Sequence, residues 1–258
     1  MRSIFLQAGQ EIQTRKIALG FFIISVFYIL GSFAIGLVCS STIICSFSSG
    51  LGRTPSNLLF VLFTFVPIWI GVWIVMKFIH HVPMKVLLGS SSKLDSQLLL
   101  KGFIAMLFLG IGIETILQFI PAVSKYIYYE SNKALFLSDW IKWLLPVVLF
   151  IFIQSAAEEL VFRGYLLQTI WSKSASYLYA VICPSFIFGL LHFDSQSYGA
   201  NAWYYCFNTF VVGCLLCLVT LHTRNIALAF GLHWGGNTVS LVFFGIHGNL
   251  DGMALWLT

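Results

Sequence analysis

Seven stretches of the chain are apolar almost throughout, approximately residues 17–39, 58–79, 98–120, 143–163, 175–193, 203–221 and 225–246. Each approaches the length of about 20 residues that a helix needs to cross a hydrocarbon core. None alternates apolar and polar positions, so membrane β-barrel strands are excluded and helices are expected. The first stretch follows Arg15 and Lys16 and is too long for a signal-peptide core. Gly36-Leu37-Val38-Cys39 lacks the small residue that precedes a lipoprotein cysteine, so a retained first helix is expected. The connections are Ser/Gly-rich at 40–57, His/Lys/Ser-rich at 80–97, mixed at 121–142 and short thereafter, and no internal repeat is visible. The pattern predicts an all-α, polytopic helical membrane protein with about seven transmembrane helices, or eight with a short re-entrant segment. It forms one integral membrane domain: residues 1–139 hold helices one to three, 140–246 hold helices four to seven, and 247–258 form a short tail.

Composition strengthens this reading. Only 9% of residues are charged and 59% are hydrophobic, against about 25% charged in an average soluble domain. Mean hydropathy is +0.92. Disorder, nucleic-acid binding and a secreted disulfide scaffold are excluded by the same figures. The net charge of +5 reflects loop placement rather than an anionic partner. Arg2, Arg15, Lys16, Lys77, Lys85, Lys93, Lys101, Lys173 and Arg224 fall on one side; Arg53, Lys125, Lys133 and Lys142 fall on the other. That asymmetry predicts a cytoplasmic N-terminus and, with seven spans, an external C-terminus. The host membrane is the plasma (inner) membrane in a prokaryote or the endoplasmic reticulum in a eukaryote. The six cysteines sit mostly in apolar runs and read as small buried apolar residues. Cys214-x-x-Cys217 has neither a second pair nor a nearby His to make a zinc site. Tyr126, Tyr128, Tyr129, Trp140 and Trp143 read as an interfacial belt, and His80, His81, His222 and His247 as residues of span ends.

Scarcity of charge makes the polar residues inside spans conspicuous, because they are costly there and usually functional. The fourth span contains Gln154-Ser155-Ala156-Ala157-Glu158-Glu159-Leu160-Val161-Phe162-Arg163-Gly164. Arg163 follows Glu159 by one helical turn and can pair with it, leaving Glu158 chemically free. The fifth span ends Phe188-Gly189-Leu190-Leu191-His192, with Phe188 and His192 on one face. The seventh contains Gly231-Leu232-His233-Trp234-Gly235-Gly236-Asn237, with His233 and Asn237 on one face and a Gly-x-x-x-Gly pattern for close helix approach. Glu114, inside the third span, has no partner evident from sequence. Two Glu, one Arg, two His and one Asn form an inventory for activating water and stabilising an oxyanion. Glu158, His192 and His233 could equally hold a zinc with an open position. H-E-x-x-H, G-x-S-x-G and Gly-x-Gly-Asp motifs are absent.

Glu158-Glu159-x-x-x-Arg163, Phe188-x-x-x-His192 and His233-x-x-x-Asn237 together resemble, in order, the three motifs of the CPBP intramembrane proteases, or Abi family, which includes the type II CAAX prenyl endopeptidases. The resemblance covers about residues 140–246. It implies an intramembrane endopeptidase acting on a membrane-associated, prenylated or leader peptide. Glu158 and His192 would activate water, His233 and Asn237 would stabilise the oxyanion, and Glu159, Arg163 and Phe188 would support them. It implies a metal-free mechanism as first choice, with a divalent metal such as zinc as the alternative. The expected partners are the lipid bilayer and a peptide or protein-terminal substrate; oligomeric state is left open. A non-enzymatic immunity or scaffold protein of the same fold and, less favoured, a proton-coupled transporter using Glu114 and Glu158 are the alternatives. A simple hairpin ruler sets Glu159 and His192 about 25 Å from the turn near residue 175 but His233 only about 12 Å deep. One site therefore requires a helix to break or tilt, at Gly164 or Pro184.

Overall fold

The computed structural model describes residues 13–40, 51–174 and 176–258; Arg2 and Cys45 lie outside the described residues. Helices cover each of the seven apolar stretches. α1 is Thr14–Ser40, α2 Pro55–Phe63 and α3 Val66–Ile74, with a π turn at Val75–Ile79 and a 3-10 turn at Met84–Leu88. α4 is Ser96–Leu117. α5, Leu137–Glu159, passes through a π turn at Leu160–Leu166 into α6, Leu167–Ser174. α7 is Tyr177–Leu190, α8 Ala202–Thr223 and α9 Ala227–Thr238, with a closing π turn at Val239–Phe243. Among the described residues, five runs are long and apolar enough to cross a membrane: Thr14–Cys39, Pro55–Ile79, Ser96–Leu117, Leu137–Ser174 and Ser195–Thr223. α7 and α9, expected as full spans, are shorter. The chain is a polytopic all-α membrane protein.

Local sequence explains several boundaries. Thr54 caps α2 by accepting from Asn57 N at 3.2 Å, and Asp95 caps α4 by accepting from Gln97 N and Leu98 N. Pro67 in the first turn of α3 divides the second span, since proline has no N–H to continue the ladder. Glycines set the closest helix approaches. A Cβ at Gly102 would stand 2.7 Å from Leu228 O, and one at Gly235 2.8 Å from Phe103 O, so α4 and α9 touch backbone to backbone. Outward faces of α1, α4 and α8 expose Phe22, Leu30, Phe33, Phe108 and Phe207, as lipid-facing helices do.

The two ends differ. At one, Ile226 N donates to Leu88 O, Ser90 N to Arg224 O, Asn225 Nδ2 to Lys93 O and Gln168 Nε2 to Leu87 O. At the other, β1 (Glu130–Ser131), β2 (Phe244–Gly245) and β3 (Trp256–Leu257) form a small sheet in the order β1-β3-β2, β3 antiparallel to β1 and parallel to β2. Residues 247–258 are therefore folded in, with Asp251, Met253 and Ala254 buried.

This layering resolves the hairpin ruler. The layer at 87–90 and 224–226 meets the long α5–α6 helix at Gly164–Gln168, and α6 continues beyond it. Measured from that layer, Glu159 and His233 are both about 10 Å deep. Gly164 lies within the π turn, where Leu87 packs so closely that a Cβ would be 3.1 Å from Leu87 Cβ.

Candidate active site

Glu158 and Glu159 close the last α-helical turn of α5, and Arg163 lies in the π turn that follows. π turns inside α-helices recur at functional sites. Arg163 Nη1 donates to Glu159 Oε1 at 2.9 Å, with both side chains fully buried. His233 of α9 reaches the same oxygen: its Nδ1 lies 2.8 Å from Glu159 Oε1. As an ionised carboxylate only accepts, Nδ1 carries the proton. His233 Nε2 faces the second carboxylate, 3.3 Å from Glu158 Oε2, with no hydrogen bond to that oxygen. One imidazole thus bridges two adjacent glutamates.

Asn237, one turn along α9, meets α5 one turn before Glu158. Its Nδ2 donates to Gln154 Oε1 at 2.9 Å and to Ser155 Oγ at 3.3 Å. Ser155 Oγ in turn donates to Gln154 Oε1 at 3.2 Å. α9 is held in rotation by Trp234, whose ring stacks on Phe103 with centroids 3.8 Å apart and whose Nε1 donates to Val148 O at 3.0 Å.

His192 follows the end of α7, where its Nδ1 donates to Phe188 O at 2.7 Å. A carbonyl can only accept, so Nε2 is left as the lone-pair nitrogen. Phe188 joins the two halves of the site. Its ring makes edge contacts with His192 at 4.5 Å, His233 at 5.9 Å and Phe162 at 4.9 Å, and Arg163 Cζ lies 4.6 Å from its centroid. The structure therefore joins Glu158, Glu159, Arg163 and His233 directly, and brings His192 to them through Phe188. Glu158 Oε2, Glu159 Oε2, Arg163 Nε and Arg163 Nη2 are buried without a hydrogen-bond partner. Such atoms cost about 1–3 kcal/mol each and favour a polar guest.

Among the described residues no group of three His, Cys, Asp or Glu side chains is arranged to hold a metal.

Residues 140–239 match the family model described as type II CAAX prenyl endopeptidase Rce1-like. That matched segment is similar to the Rce1-like family. Its relatives include an uncharacterized Bacillus subtilis protein, YyaK, which is 29% identical over 174 residues, 67% of this chain and 56% of YyaK. The chain thus aligns with little more than half of that relative. The matched segment contains Gln154, Ser155, Glu158, Glu159, Arg163, Phe188, His192, His233 and Asn237.

Several contacts escaped sequence reasoning. Gln154 and Ser155 stand beside the motif but carry no charge, which is why they drew no attention. Tyr28 and Tyr205 lie within electrostatic reach of Glu158, and Tyr205 also approaches His192 at 6.2 Å. His80, directly after the span ending at Ile79, is buried in the protein: it is 3% exposed, and its Nε2 lies 3.0 Å from Tyr165 Oη. Burial, with Lys16 and His81 nearby, lowers its pKa to about 4. Glu114 accepts from Tyr129 Oη at 3.1 Å, and burial beside that carboxylate raises the Tyr129 pKa. Cys39 is disulfide-bonded rather than simply a small apolar residue, whereas Cys183, Cys206, Cys214 and Cys217 are free thiols.

Proposed function

We propose that this protein is an intramembrane endopeptidase that uses Glu158 to activate water. The observation that carries the proposal is the buried Glu158–His233–Glu159–Arg163 chain inside the segment that matches the Rce1-like family. Arg163 pairs with Glu159, and Glu159 fixes the His233 tautomer that presents Nε2 to Glu158. Glu158 takes a proton from water as the water oxygen attacks the scissile carbonyl, and His192 Nε2 accepts the water's second hydrogen bond. The proton taken by Glu158 can be shared with His233 Nε2, where Glu159 stabilises the imidazolium. Collapse of the tetrahedral intermediate breaks the C–N bond and returns that proton to the leaving amine. The oxyanion forms beside the α9 face carrying His233 and Asn237. No step requires a metal.

The substrate is a membrane-associated peptide, a prenylated C-terminal segment or a leader, because the glutamates lie within apolar helices. The protein is a multi-pass integral membrane protein with its N-terminus on the cytoplasmic side. The loop charge asymmetry supports that orientation.

The test is cleavage of a panel of prenylated and leader peptides by purified protein in nanodiscs, with and without chelator. Cleavage that survives chelation and is lost in Glu158→Gln is expected. Undiminished cleavage by Glu158→Gln would reject the mechanism. If the folded protein cleaves nothing and both Glu158→Gln and His192→Ala keep the cellular phenotype, the binding-protein alternative is favoured.

A further inference from the structure

A cavity of about 310 Å³ lies between α3, α5, α9 and the 80–95 connection, a volume at the lower end of the roughly 300–1,000 Å³ of small-molecule sites. Trp69, Phe152, Ala156, Leu160 and Phe230 form its walls, and Lys85 lines it as well. The walls are fixed in place. Trp69 Nε1 donates to Ile153 O at 3.2 Å, and the Phe152 ring packs on Phe230 and Trp234 with centroids 4.7 and 5.1 Å apart. Rigid aromatic walls keep the space from closing, and an apolar space of this kind favours a hydrocarbon guest.

Cations surround its rim. Met84 is shared with a neighbouring cavity of about 470 Å³ that Trp73, Lys77 and His81 line. Leu94 is shared with another of about 310 Å³ that Ser90, Lys93 and Arg224 line. Lys77, Lys85, Lys93 and Arg224 are all exposed, and among the described residues none of them has an acidic partner within ion-pair distance. Asp95, the acidic residue of this rim, is engaged in capping α4 through Oδ1. Lys77 Nζ lies 4.7 Å from the centroid of the Trp73 ring, which holds the ammonium beside an indole of the kind that sits at headgroup level. The second span ends at Ile79 and the third begins at Ser96, so the connection between them lies at the membrane surface. Basic pockets between helices at that depth suit phosphate head groups.

Ala156 and Leu160 each stand two residues from Glu158, about 200° around the helix. The cavity therefore opens on the face of α5 opposite Glu158, and a chain seated in it has no direct line to that carboxylate. We propose that the cavity takes one acyl chain of an anionic phospholipid, with its phosphate held between Lys85 and Lys77. An apolar chamber alone would accept any chain; the unpaired lysines at its mouth select one that carries negative charge. The lipid is a resident of the fold rather than a substrate, and its site does not depend on the hydrolase reading above.

The test titrates full-length protein in detergent micelles with dioctanoyl phosphatidylglycerol or dioctanoyl phosphatidylcholine and counts bound lipid by native mass spectrometry. One tightly held phosphatidylglycerol is expected, with phosphatidylcholine weaker by about tenfold or more. Lys85→Gln and Lys77→Gln should each weaken phosphatidylglycerol by about fivefold and leave phosphatidylcholine unchanged. Lys173→Gln, at the same end of the molecule but outside the cavity, should change neither. All three side chains are exposed, so the variants keep the packing of the fold. A diazirine at the chain tip of phosphatidylglycerol should label residues 152–160 or Phe230. Equal affinity for the two lipids, an equal loss in Lys173→Gln, or labelling elsewhere would overturn the proposal. So would displacement of phosphatidylglycerol by a farnesylated peptide bound to Glu158→Gln, which would give the cavity to a substrate's lipid anchor. No arm reads cleavage, so the outcome stands apart from the role of Glu158.

Discussion

Among the described residues, two places combine a carboxylate, an arginine and a histidine. In the core, Glu159 lies 2.9 Å from Arg163 and 2.8 Å from His233. At the sheet end, Asp251 lies 3.6 Å from Arg53 and 3.9 Å from His247. The second group is a clasp for a loop: Asp251 Oδ2 accepts from Gly248 N at 2.7 Å, and His247 is 70% exposed. Water can solvate its arginine and histidine from outside. The first group leaves carboxylate and guanidinium atoms buried and unpaired, and adds a second glutamate on the far side of the histidine. The same three residue types stabilise a fold in one setting and hold unspent hydrogen-bonding capacity in the other. Burial and leftover valence make the difference.

The contrast is sharpest for activity. Glu158→Gln should lower kcat for peptide cleavage by about 10²–10⁴-fold, whereas Asp251→Asn should leave it within about twofold; steady-state assays of both variants check this. Arginine removal comes next. Arg163→Met leaves Glu159 as a buried charge without its cation and should destabilise the fold by about 3–5 kcal/mol. Arg53→Met breaks a pair whose arginine is 37% exposed and should cost less than about 1 kcal/mol. Denaturant titration in mixed micelles, read by tryptophan fluorescence, distinguishes them, and equal losses would erase the contrast.

Acid supplies a smaller effect. His80 is neutral in the fold, its pKa lowered from 6.5 to about 4. Protonation therefore favours the unfolded chain, and stability present above pH 6.5 is lost as pH falls from there towards 4. The thermal midpoint should drop less over that interval in His80→Gln than in wild type. Smallest of all, His247→Ala should change stability by no more than about 0.5 kcal/mol, measured by the same titration.

Much of this was legible in the sequence because membrane burial makes polarity rare. Apolar runs located the helices, and the spacing of Glu159 and Arg163 announced their pair. The exact reach of helices was less readable. Hydropathy saw 143–163, but α5 and α6 run continuously over Leu137–Ser174, since Ser, Lys and Gln continue a helix without being apolar. Contacts between distant positions were not readable at all. His80 with Tyr165 and Gln154 with Asn237 depend on which helices become neighbours, and neither partner's local sequence specifies the other. Gln154 did leave one trace, an amide four residues before Glu158 in an otherwise apolar run.

The tail sheet has a consequence for the bilayer itself. α9 with its π turn, 227–243, rises about 25 Å, less than the roughly 30 Å of hydrocarbon it would have to traverse. Backbone groups that leave a helix at such depth must find partners in protein. Here they do: Leu255 N donates to Val242 O, Thr258 N to Gly245 O, and Asn132 N to Leu255 O. The last residues thus pair backbone groups released where α9 and its π turn end, and clipping them would leave Val242 O and Gly245 O without those partners.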